Sequence, residues 1–162
     1  MFLFFLKAKS YKLKAERGFT LLEVLVVLAI IAVVGAVVLM LINPSARFAK
    51  SRNNERAADL NVILNAVSQN IADNKGSFSC SAGYLPSTST RMAVGLGDYD
   101  IVPCLFPTYL VVVPYDPNGE GVFYTSTSSY DSGYDIFQDS VTGRVIIEAP
   151  LAELSETISA TR

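Results

Sequence analysis

From Val24 to Ile42 the chain carries no charged residue, and the run is apolar on every side of a helix rather than along one stripe. At 1.5 Å per residue it covers about 28 Å, enough to cross a bilayer core, so the pattern predicts a membrane-spanning helix. Asn43-Pro44 follows, and a proline steers the residue before it away from helical backbone angles, so the helix is predicted to kink or end there. Residues 45–74 then mix charges with Ala57, Leu60, Leu64, Val67 and Ile71, spaced three and four apart, which predicts an amphipathic helix ending near Gly76. The Ser-, Thr-, Gly- and Pro-rich stretch 77–107 has no sustained period and reads as a long ordered loop outside the core. Beyond it, Tyr109–Val113, Val122–Thr127, Tyr134–Gln138 and Arg144–Glu148 read as strands, with Asn118-Gly119 and Thr142-Gly143 as turns. The predicted fold is α+β: a long N-terminal helix, membrane-spanning in its first half, whose amphipathic second half packs on a four-stranded antiparallel meander. The predicted divisions are 1–18, 19–44, 45–76, 77–150 and a tail, 151–162, that is either a short helix or a frayed end.

Charge gives this layout a direction. Residues 1–18 hold Lys7, Lys9, Lys12, Lys14 and Arg17 against Glu16 alone, whereas from residue 76 onward three arginines face ten acidic residues. A basic flank stays on the cytoplasmic side of a spanning helix, so the acidic part is the exported head of a single-pass protein of the inner (cytoplasmic) membrane. An acidic head also argues against a nucleic-acid partner. Histidine is absent, which removes the commonest metal ligand and the usual general base near neutral pH. Scattered head carboxylates such as Asp98, Asp131 and Asp139 make no convincing acid and base pair, so the chain reads as no enzyme. The only cysteines, Cys80 and Cys104, both fall in the exported part and are expected to form a disulfide.

The candidate chemistry lies at Arg17-Gly18-Phe19-Thr20-Leu21-Leu22-Glu23. A secretory signal is cut after its apolar core, which is then discarded. Here the small residue with basic flanks, Gly18, precedes the apolar run, so cutting after it keeps the helix at the front of the mature chain. Glu23 sits at the edge of that run, where a carboxylate in hydrocarbon costs several kcal/mol unless compensated. Cleavage would create an amine on Phe19, four residues away.

These residues resemble the N-terminus of type IV prepilins and of type II secretion pseudopilins, over Arg17 to about Pro44. The resemblance implies cleavage between Gly18 and Phe19 by a membrane aspartyl prepilin peptidase, N-methylation of Phe19, and an assembly role for Glu23 against a neighbour's N-terminal amine. It also implies partners: further copies in a helical filament, the peptidase and methyltransferase, an inner-membrane assembly platform with its ATPase, and lipid before assembly. The leading expectation is a pilin of an extracellular type IV pilus. The alternatives are a pseudopilin of a periplasmic pseudopilus acting in protein export, and a DNA-uptake minor pilin, which the acidic head disfavours. In the head, Val113-Pro114-Tyr115-Asp116-Pro117-Asn118-Gly119 resembles the strand-turn region of major pseudopilins, many of which bind calcium there. No cofactor is otherwise expected. Asp116, Asn118 and Glu120 are the calcium candidates, but the twelfth loop position is Thr127 rather than Glu, and a hairpin turn with solvated carboxylates explains the same residues.

Overall fold

The computed structural model describes residues 18–162. The basic cluster Lys7, Lys9, Lys12, Lys14 and Arg17, and with it all but the last residue of the expected leader, lies outside the described residues. The described chain forms two units, divided between Asn43 and Pro44.

The first unit is one helix, α1 (Leu21–Ile42). Thr20 caps it: the side-chain hydroxyl oxygen accepts the Glu23 backbone N–H at 3.2 Å, satisfying one of the donors that a helix start leaves unpaired. Within it Leu21–Leu41 has a mean hydropathy of 3.4, and the unit buries none of its most apolar window. Asn43 ends the helix in the left-handed region, φ 44°, a conformation that asparagine tolerates better than most residues. Pro44, whose missing N–H costs nothing at a first helical position, then opens the next helix.

The second unit is a helix laid on a sheet. Helix α2 (Pro44–Asp73) runs for 30 residues, about 45 Å. It closes with Gly76 donating back to the Ile71 carbonyl at 2.9 Å. Its buried positions, Ala49, Asn53, Arg56, Leu60, Ile63, Leu64, Ala66, Val67 and Asn70, follow one continuous helical stripe. Ala57 and Ile71, predicted for that stripe, are only half-buried, while polar Asn53, Arg56 and Asn70 occupy stripe positions that hydrophobic periodicity cannot reveal.

The sheet has five strands rather than four and is not a simple meander. Strand β1 (Thr90–Ala93) and helix α3 (Val102–Leu105) lie inside the stretch expected to be loop. Met92, Tyr99, Ile101, Val102 and Leu105 from this stretch are core residues. Neither TRMA nor VPCL alternates apolar and polar positions, and both sit in Ser-, Gly- and Pro-rich chain, which is why the pattern misses them. Strands β2 (Phe123–Ser126), β3 (Ser129–Gln138) and β4 (Val145–Glu148) match three of the expected strands, with β3 beginning five residues early. The tail is neither helix nor frayed: its β5 (Ser159–Thr161) pairs antiparallel with β4.

The expected strand at 109–113 is absent. The Tyr109 and Leu110 N–H groups both donate to the Leu105 carbonyl, continuing the turn of α3. Leu110 and Val113 point inward three residues apart while Val111 and Val112 are exposed, which is not strand alternation.

Strand β3 is central. Asp131 pairs with both Ala93 and Phe123, and Asp135 with both Arg91 and Glu148, so β1 takes one edge and β2 and β4 share the other. On its inner face Tyr130, Tyr134 and Ile136 meet Leu60, Leu64 and Val67 of α2 in one core. Where β2 and β4 leave the shared edge open, the Asp116 N–H donates to the Ser132 carbonyl at 2.8 Å. Gly133 makes that approach possible: its φ is +81°, and a Cβ there would lie 2.6 Å from the Asp116 Cβ.

Candidate functional site

In the first unit Gly18, Phe19 and Thr20 are outside any regular element and exposed. A Cβ on Gly18 would meet nothing within 4 Å, so among the described residues nothing crowds this position. Thr20 then starts the helix, which places Glu23 in its first turn. Thr20-x-x-Glu23 is the spacing of a capping box, a signal that the apolar pattern alone overlooked. Phe19 and Glu23 line one shallow groove with Val24, Val27 and Leu28. The positive end of the helix dipole favours a carboxylate at Glu23 by about 1 kcal/mol. That is less than the roughly 3 kcal/mol that a carboxylate costs at the centre of a membrane helix. In water the helix end suffices, whereas in an apolar setting Glu23 needs a further partner.

In the second unit, Cys80 and Cys104 form a disulfide. The three calcium candidates are not gathered as a ligand set. Asp116 turns inward, its side chain wholly buried, and both its oxygens accept from Arg56: Nε to Oδ2 at 2.7 Å and Nη2 to Oδ1 at 2.9 Å. Oδ1 also accepts the Asn118 backbone N–H at 2.9 Å, which shapes the turn. Asn118 and Glu120 are exposed. Among the described residues, no group of three His, Cys, Asp or Glu side chains is placed to hold a metal ion. Nor is Asp116 the solvated turn carboxylate of the other sequence reading.

Arg56 is the organising residue here, and nothing in the sequence pattern marks it. Its side chain is 1% exposed. Nη1 donates to Asn53 Oδ1 at 2.8 Å and to Glu153 Oε2 at 3.1 Å. Arg52 grips the same Glu153 through two bonds of 2.6 Å. Asn53 both donates to the Glu153 carbonyl and accepts its N–H. One guanidinium on α2 therefore joins the turn at 116–118 to the chain segment before β5. Arg52 first, then Arg56, holds the Glu153 carboxyl down from its ordinary 4.5 to about 2. Burial raises the Asp59 carboxyl, and the hydrogen bond it accepts from the Tyr134 hydroxyl at 2.8 Å opposes that rise.

Comparison with curated proteins and with solved structures returns no match. A family model does match, over residues 13–39, and its description is the prokaryotic N-terminal methylation motif. That span takes in the Gly18–Phe19 junction, the Thr20 cap, Glu23 and most of α1, so the chain carries the type IV prepilin-type N-terminal motif, which supports a pilin-like or pseudopilin protein.

Proposed function

We infer that this chain is a structural subunit of a type IV pilus, cut after Gly18, methylated on Phe19 and polymerised through α1. The observation that carries the reading is an apolar helical span of 21 residues, Leu21–Leu41, that its own unit leaves uncovered and that follows the exposed Gly18 and Phe19. Such a surface is stable only in lipid or against other helices. Lipid covers it in the precursor, and further copies cover it in the filament. The chemistry is then performed on the chain rather than by it: peptidase and methyltransferase act at residues 18–19, and an inner-membrane platform with its ATPase adds the subunit.

Glu23 supplies selection. A subunit entering an apolar bundle with an uncompensated carboxylate is disfavoured, and pairing with the Phe19 amine of a neighbour removes that cost only in the correct register. Replacing Glu23 by Leu tests this: the variant is expected to insert and be cut normally yet accumulate as membrane-bound monomer. Filaments of ordinary number and length would contradict it. The second reading, a pseudopilin of a periplasmic filament, is favoured by the run from Val113 to Gly119. Electron microscopy of the cell surface separates the two, since long surface filaments containing this subunit belong only to the pilus.

A further inference from the structure

Asn70 is 3% exposed, on the stripe of α2 that otherwise carries Leu60, Ile63, Leu64 and Val67 into the core. A hydrophobic residue would serve packing there, and an amide in the core is tolerated only when its bonds are made. The bonds of Asn70 go to the two chain segments that carry the cysteines. Its Nδ2 donates to the Ser79 carbonyl at 3.1 Å and to the carbonyl of Cys104 itself at 3.3 Å. Its Oδ1 accepts the Ser79 N–H at 2.9 Å and an N–H of the Asn74 side chain at 3.4 Å. Ser79 immediately precedes Cys80. One buried amide thus holds together the backbones on both sides of the Cys80–Cys104 bridge, which spans 24 positions of sequence.

We propose that Asn70 is a positioning residue for formation of this disulfide: in the reduced, folded head it holds residues 79–80 against residue 104 so that the two thiols meet. The oxidation itself follows thiol–disulfide exchange. The thiolate of one cysteine attacks the disulfide of an oxidant, breaking that bond and giving a mixed disulfide. The second cysteine displaces the oxidant's remaining sulfur, so the Cys80–Cys104 bond forms and the oxidant leaves as two thiols carrying both electrons and both protons. Asn70 takes no part in the bond changes. Its contribution is to raise the effective concentration of one thiol at the other, as a short linker does for two binding modules.

The test uses the full chain in detergent micelles, equilibrated in glutathione buffers of graded oxidised-to-reduced ratio, with thiols trapped by a maleimide that shifts gel mobility. Cys80 and Cys104 are the only cysteines, so the readout has one source. Asn70→Leu, which suits the apolar stripe, is expected to lower the effective concentration of the thiols about tenfold or more, which raises the reduction potential by about 30 mV. A merely structural Asn70 would lower the melting temperature of oxidised and reduced protein alike and leave this equilibrium unmoved. An equilibrium within about twofold of wild type, in chains that keep the wild-type far-ultraviolet circular dichroism, would overturn the proposal. Asn70→Ala, which deletes the amide without adding bulk, is read for the same two outcomes if the leucine variant does not fold.

Discussion

At the scale of single residues, the head depends on polar side chains that no hydrophobic pattern exposes. Arg56 shows why: it sits on the buried stripe of α2 and its charge is met by Asp116 and Glu153, 60 and 97 positions away. Neither partner can be inferred from spacing, so in sequence Arg56 reads as an ordinary exposed helix charge. Removing one side of a buried pair strands the other, so Arg56→Met should cost about 3–5 kcal/mol in chemical denaturation. Arg56→Met combined with Asp116→Leu should recover part of that loss, because the stranded charge is gone. Gly133 gives a second residue-level prediction. Alanine there meets both a positive φ and the Asp116 and Val122 side chains, so Gly133→Ala should destabilise the head by about 2 kcal/mol in the same measurement. By contrast the prepilin-type motif around Gly18, Phe19 and Glu23 was legible directly, because its signal is local order along the chain.

At the scale of elements, what could be read depended on apolar period and local turn signals rather than on length. The break at Asn43–Pro44, the end of α2 shortly before Gly76 and strands β2 to β4 all follow from local rules that hold over several residues. Strand β1, helix α3 and strand β5 have three or four residues each and exist because tertiary partners complete them. The run at 109–113 has strand composition, yet the carbonyl of Leu105 captures its first N–H groups and Pro114 ends it.

The tie between α2 and the segment before β5 makes a prediction for acid. The folded Glu153 carboxyl lies below its ordinary value, so its contribution to stability is present above about pH 4.5 and is lost as pH falls toward 2. Asp59, raised by burial, works the other way, because protonation relieves its cost in the fold. A melting-temperature profile of the full chain should therefore drop between pH 4.5 and 2, and Glu153→Gln should lower the plateau at neutral pH and flatten that drop. An unchanged profile in the variant would remove Glu153 from the account.

At the scale of the whole molecule, two properties decide what the chain is. One is how the head holds its turn at 116–118. Because Arg56 already supplies the positive charge to Asp116, neither EDTA nor added calcium should move the melting temperature by more than about a degree, since only a ligand of the folded state shifts it. A rise that grows with calcium concentration would show that the turn binds the ion after all. The other property, which the proposed function requires, is retention of the apolar helix in the mature chain. Every functional step proposed above, from lipid anchoring to pairing of Glu23 with a neighbour's amine, requires a mature chain that starts just before α1. The most direct test is the intact mass of the subunit recovered from the cell envelope. The account predicts a chain lacking its first 18 residues, beginning at Phe19 and carrying one methyl group on its amine. A mature chain that has lost α1, or that keeps Gly18 and the residues before it, would contradict it.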